Sequence, residues 1–254
     1  MLDNSRAQRI AFCVNRCLLM ALTCGALVIG DSARAQDFYL VSPGIYENSE
    51  ADSWNVGPFG GRFQQVYDAT DFQGISNGGW IRWMQLRLDS PNAIGGMVIT
   101  WSNIQINLST TTKTPFGPNM LNNTFSDNVG SDDTVVLGPR ALSVSAHYTI
   151  GEPQPFDIQV SFDRPFFYNP ANGNLLLDVR TVGGSTGVNK FYDASARTDD
   201  TIACVAGTQG SDFGFSEPAL ITAFFVTPVP EPSTWVLLLV GTSALLYWRK
   251  WKEG

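Results

Sequence analysis

Between Gln36 and Val229 apolar and polar residues alternate at period two in several runs, and no run holds a helical period for ten residues. Ile104, Ile106 and Leu108 alternate with Asn103, Gln105 and Asn107. Leu142, Val144, Ala146 and Tyr148 alternate with Ser143, Ser145 and His147. Phe156, Ile158, Val160 and Phe162 alternate with Asp157, Gln159 and Ser161, and Met84, Leu86 and Leu88 with Gln85, Arg87 and Asp89. Each run predicts a strand with one buried and one polar face. The denser runs Leu175–Val179 and Leu220–Val226 predict strands at the centre of a sheet. Turn residues punctuate these runs at Ser76–Gly79, Ser90–Asn92, Pro115–Asn119, Gly151–Pro153 and Asn169–Asn174. Eight to ten strands spaced this way predict an all-β, jelly-roll-like two-sheet β-sandwich. About 195 residues suffice for one such core, and the lack of an internal repeat disfavours a solenoid.

The two ends follow a different pattern. Arg6, Arg9 and Arg16 precede an apolar stretch from Cys17 to Gly30. Ala33 and Ala35 then supply the small-x-small pattern read by signal peptidase, which predicts a signal peptide over 1–35 with cleavage before Gln36. At the other end Trp235–Trp248 is almost wholly apolar and is followed by Arg249, Lys250 and Lys252. This predicts a single transmembrane helix whose basic flank stays in the cytoplasm. At 1.5 Å per residue the run covers about 21 Å against about 30 Å of hydrocarbon. Ser233 and Thr234 before it and snorkelling Arg249 and Lys250 after it close the gap. Just before the run, Val229-Pro230-Glu231-Pro232-Ser233 holds the backbone extended, as a protease substrate must be.

The order Pro230-Glu231-Pro232, apolar span, Arg/Lys cluster closely resembles the PEP-CTERM sorting signal of bacterial exported proteins. The resemblance covers about the last tenth of the chain, 229–254, and leaves 36–228 as the exported sandwich. It implies recognition by an exosortase, cleavage near Pro230-Glu231-Pro232, and transient anchoring in the inner membrane. Delivery to the cell surface or extracellular matrix of a Gram-negative-type bacterium would follow. The resemblance also brings an ice-binding label, which speaks of tails of this kind and not of the central domain. Arg62–Ala69 and Gly173–Val179 look like the central domain of uncharacterised PEP-CTERM exported proteins, which implies the β-sandwich and no activity.

Composition sharpens this picture. The formal net charge is -7, which supplies no phosphate-neutralising surface and argues against nucleic acid as a partner. Seven of the 16 basic and four of the 23 acidic residues lie in the two ends, so 9 basic and 19 acidic residues fall between Gln36 and Val229, a net of -10. Cys13, Cys17 and Cys24 lie in the signal peptide, so the exported part keeps Cys204 alone and forms no internal disulfide. Cys204 reads as a small buried hydrophobe.

Candidate chemistry is sparse, and no enzyme is expected. Gly183-Gly184-Ser185-Thr186-Gly187 matches the G-x-S-x-G elbow in form, but Val188–Asp193 is no helix and His147, the one histidine, lies upstream. Asp127, Asp132 and Asp133 share a short loop with Gly130 and offer oxygen ligands for one structural calcium, the only cofactor considered. The alternative there is a solvated acidic turn. Trp54, Trp80 and Trp83 lie in Gly-rich surroundings. They either plug the core and its edges or, if exposed, stack on the sugar rings of an extracellular polysaccharide. Thr110-Thr111-Thr112 is too short for the flat threonine array that ice binding requires. The expected function is therefore a non-enzymatic structural or adhesive protein of the cell envelope, with a carbohydrate-binding module as the alternative.

Overall fold

The computed structural model describes residues 37–55, 57, 61–89, 95–186, 191–197, 201–229, 241–246, 248 and 249. Gln36–Val229 form one compact unit. In chain order its strands are β1 (Phe38–Ser42), β2 (Ser53–Asn55), β3 (Gly61–Tyr67), β4 (Gly79–Leu86), β5 (Gly95–Thr111), β6 (Thr134–Tyr148) and β7 (Ile158–Tyr168). They continue with β8 (Asn174–Thr181), β9 (Ser185–Thr186), β10 (Tyr192–Ser195), β11 (Ile202–Thr208), β12 (Phe215–Glu217), β13 (Ala219–Leu220) and β14 (Thr222–Pro228). A four-stranded sheet has the order β1-β14-β4-β7. A larger sheet has the order β12-β11-β3-β8-β5-β6, with β9 added beside β5. A small third sheet has the order β13-β10-β2. All these strand pairs are antiparallel, and the fold is an all-β, sandwich-like one.

One apolar core lies between the inner faces of the two large sheets. Ile81, Met84 and Phe224 come from the four-stranded sheet, and Tyr67, Ile106 and Leu177 from the larger one. Tyr67 reaches from one sheet to the other. Its ring meets that of Phe224 edge-on at 5.0 Å, and its hydroxyl lies 2.9 Å from Thr222 Oγ1. Burial pushes that hydroxyl's pKa well above the ordinary tyrosine value, so it stays a neutral hydrogen-bonding group.

The period-two runs are strands: Ile104–Leu108 lies in β5, Leu142–Tyr148 in β6, and Ile158–Phe162 in β7. The dense runs lie in β8, buried at seven of its eight positions, and mostly in β14, which is flanked by β1 and β4. Cys204 is buried in β11, where desolvation raises its thiol pKa and keeps it protonated. Among the described residues there are fourteen strands, more than the eight to ten expected. The excess is made of pieces such as β9 and β13, two residues each, too short to carry a period.

Arg87 corrects a second expectation. The alternation of Met84, Leu86 and Leu88 put it on a polar, solvated face, yet its side chain is 1% exposed. It forms an ion pair with Asp193 of β10, equally buried, with Nε 2.6 Å and Nη2 2.5 Å from Oδ2. Arg87 Nη2 also donates to the Ser49 carbonyl, and its guanidinium lies over the Phe156 ring at 4.7 Å. Asp193 accepts a further bond from Ala51 N–H at 3.0 Å. The pair thus joins the end of β4, the small sheet and the Ser49–Ala51 loop.

Of the remaining chain, residues 241–246, 248 and 249 are helical, and the rest of the span expected over 235–248 lies outside the described residues. Among the described residues no helix is long and apolar enough to cross a membrane. The signal-cleavage residues Ala33, Ala35 and Gln36, the motif Pro230-Glu231-Pro232, and Lys250 lie outside the described residues.

Removing one partner of the Arg87–Asp193 pair strands a buried charge. Arg87→Met should lower the unfolding free energy by about 3–5 kcal/mol. Adding Asp193→Asn, which keeps an acceptor for Ala51 N–H, should recover part of that loss. Urea denaturation followed by tryptophan fluorescence checks both.

Candidate functional site

The outer faces of the two large sheets are treated differently. The larger sheet is roofed by the chain between β5 and β6. Phe125 and Leu121 of that segment pack on Val66, Leu176 and Val205, forming a second small core. Polar bonds stitch the roof down. Gln64 Nε2 donates to the Phe125 carbonyl at 3.1 Å, Asn128 Nδ2 donates to Gln64 Oε1 at 2.9 Å, and Thr111 Oγ1 donates to the Asn128 carbonyl at 2.7 Å. Asp178 lies under it. Burial raises its pKa, but hydrogen bonds from Arg62 and Arg180 more than offset this, so it stays ionised below the usual carboxylate range.

The proposed calcium loop belongs to this roof. Asp132 Oδ1 accepts from Thr110 N–H at 2.6 Å, and Asp133 accepts from Asn107 Nδ2 at 2.9 and 3.1 Å. Gly130 lies so close to β5 that a Cβ there would stand 1.8 Å from the Thr110 carbonyl oxygen. Two of the three carboxylates therefore accept hydrogen bonds from β5, and Asp127 projects into solvent from a short 3-10 turn. Among the described residues no group of three His, Cys, Asp or Glu side chains is placed to hold a metal ion, so the structure does not assemble the calcium site. Thr111, buried at 4% exposure and bound to the roof, is likewise no part of an exposed threonine array. Ser185 sits in the short strand β9, where it pairs with Trp101 of β5, and 187–190, which would continue the elbow, lie outside the described residues.

The outer face of the four-stranded sheet carries exposed aromatic side chains. Directly paired residues in a sheet share a face. One row across the sheet is Tyr39, Phe225, Trp83 and Ser161, and the next is Thr227, Trp80 and Phe167. Trp83 stacks on Phe225 at 3.6 Å with 8° between the planes, and Tyr39 meets Phe225 edge-on at 5.5 Å. Trp80 lies 5.2 Å from Phe167. Tyr39 is 54% exposed and Trp80 42%. Beside the rings, Gln85 Nε2 donates to Gln159 Oε1 at 3.3 Å and Gln159 Nε2 to Ser161 Oγ at 3.1 Å.

A β-bulge makes this arrangement. Trp80 and Trp83 are three residues apart, and regular alternation would put them on opposite faces. The register skips Arg82 against both β14 and β7. The extra residue shifts the phase, so both tryptophans point outward while Ile81 and Met84 stay buried. Arg82 is exposed between them and donates through Nε to Thr227 Oγ1 at 2.9 Å.

The three tryptophans singled out from the sequence thus separate. Trp80 and Trp83 lie on one face, whereas Trp54 is in β2 of the small sheet, 51% exposed, its ring 4.1 Å from Phe191. Trp101 is buried. Tyr39, Phe225 and Phe167 escaped notice because they come from three distant strands. The spacing of two tryptophans around an arginine in Trp80-Ile81-Arg82-Trp83 was the one local hint of a bulge.

Surface depressions lined by described residues lie elsewhere. One, of about 360 Å³, is lined by Phe116, Met120 and Arg197 with the single carboxylate Glu217. Another, of about 610 Å³, is lined by Lys113, Asn119 and Phe213 among others, and has no carboxylate. Neither supplies the facing carboxylate pair of a glycoside hydrolase.

Glu50, Asp89 and Glu152 form an acidic cluster that sequence reading overlooked. Desolvation, with Glu152 and then Asp89 nearby, pushes the Glu50 carboxyl up to about 8 from 4.5. The folded chain therefore binds a proton there that the unfolded chain has released. That proton favours folding at low pH, and the benefit is lost as pH rises from about 4.5 through about 8. The unfolding free energy should fall across this window, and Glu50→Gln should flatten the fall when urea denaturation is repeated at several pH values.

No protein-family model matches the chain, and no curated protein matches it.

Proposed function

We propose that this chain is an exported protein sorted through its C-terminal tail, with a non-enzymatic, adhesive β-sandwich as the delivered part. Signal peptidase removes 1–35, residues 235–248 hold the chain in the inner membrane, and an exosortase cuts near Pro230-Glu231-Pro232. The product passes to the cell surface or extracellular matrix of a Gram-negative-type bacterium. The observation that carries this reading is the boundary of the compact unit, which ends at Val229, one residue before Pro230. A cut there removes the tail and leaves every strand in place. The jelly-roll assignment is supported by the way successive strands are dealt to two four-stranded sets, β1-β14-β4-β7 and β3-β8-β5-β6.

A second reading, carbohydrate binding by the sandwich, is favoured by the bare aromatic face. Flat rings on a rigid sheet match the apolar faces of pyranose rings, and the adjacent Gln85, Gln159 and Ser161 can bond hydroxyls.

Deleting 230–254 in the native host should release or misplace the protein; unchanged surface retention overturns the sorting assignment. Mass spectrometry of the mature protein should find a C-terminus near Val229. On the binding side, Trp80→Ala should abolish retention on a glycan array by the full chain in mild detergent. Undiminished retention would count against the face.

A further inference from the structure

We propose that the aromatic face takes an acidic polysaccharide, with Arg82 as the group that binds its carboxylates. This rests on the carbohydrate-binding reading and adds the class of glycan. The surroundings of Arg82 carry the inference. Gln36–Val229 hold 19 acidic and 9 basic residues, and an arginine in such a domain has carboxylates at hand. Arg62 and Arg180 pair with Asp178, Arg87 with Asp193, and Arg140 with Asp163, while Arg164 donates through Nε to the Val135 carbonyl. Arg82 makes no ion pair among the described residues. Its Nε is held by Thr227 Oγ1 at 2.9 Å, which fixes the plane of the guanidinium, while neither Nη has a protein acceptor among the described residues.

The paired rows beside Arg82 hold no carboxylate, and Asp163, in the β7 stretch that the register passes over opposite Arg82, is held by Arg140. These rows are Tyr39–Phe225–Trp83–Ser161, Thr227–Trp80–Phe167 and Val41–Ala223–Gln85–Gln159. The bulge inserts Arg82 between Trp80 and Trp83, so a sugar stacked on either indole has a guanidinium beside it. The two free Nη groups suit a carboxylate, which accepts two parallel N–H bonds from a guanidinium. The net charge of -10 does not forbid this, because at physiological ionic strength charges more than about 8 Å away are largely screened.

The test uses the full chain in mild detergent, with polygalacturonate, alginate and carboxyl-reduced polygalacturonate as probes in affinity electrophoresis. The wild type should bind at least one acidic polymer about tenfold or more tighter than the reduced one, the scale of a charged hydrogen-bonded contact. Arg82→Gln should erase that preference with an unchanged melting temperature, and Arg82→Lys should restore part of it. Trp80→Ala should weaken binding to acidic and neutral polymers alike. Equal binding of acidic and reduced polymers by the wild type overturns the proposal and leaves carbohydrate binding standing. So does an acidic preference that survives Arg82→Gln. Binding to none of the three polymers overturns both.

Discussion

Ile81 and Met84 must both be buried between the sheets, and they stand three residues apart on one strand. A strand turns successive side chains to opposite faces, so this is impossible without an inserted residue. Arg82 is that residue, and the demand of the core is met by a bulge. The outer face follows from it. Once Ile81 and Met84 both point inward, Trp80 and Trp83 both point outward. They join Tyr39, Phe225 and Phe167 in a surface that no regular strand could present. The apolar core and the exposed aromatic face are thus two sides of one constraint on β4.

The contrast between the outer faces gives that surface its meaning. Val66 and Leu176 on the larger sheet are covered by a segment whose own polar groups are bonded into the sheet. The protein therefore has a way of covering apolar sheet surface with its own chain. The four-stranded sheet is given no such roof among the described residues, although it carries larger rings. Exposed rings beside polar amides are what the binding reading proposed above rests on.

Much of the fold was legible because sandwich strands have one wet and one dry face. Val144 and Ala146, or Ile158 and Val160, announce themselves by alternation. What was hidden needed partners distant in sequence. Arg87 looked like a solvated residue because its counter-ion, Asp193, lies 106 positions away. The partners of Asp132 and Asp133 were hidden for the same reason. Three carboxylates in a loop suggest a cation until the Thr110 amide and the Asn107 side chain are seen to occupy them. Of the aromatic face the sequence offered Trp80 and Trp83, but not the phase shift that puts them side by side. The export signals expected at the two ends rest on local sequence patterns alone, since 1–36 and 230–240 lie outside the described residues.

The first and last strands of the sandwich are neighbours, Phe38 facing Val226, and β14 lies between β1 and β4. A sheet whose middle member is made last cannot close while the chain is being synthesised, since chains emerge from the N-terminus. β1 and β4 must wait, unpaired on their common side, until residues 222–228 appear. Those residues are followed at once by Pro230 and the apolar tail. The four-stranded sheet is therefore completed only as the last residues before Pro230 appear, and a chain that ends before Thr222 is a chain with an open sheet.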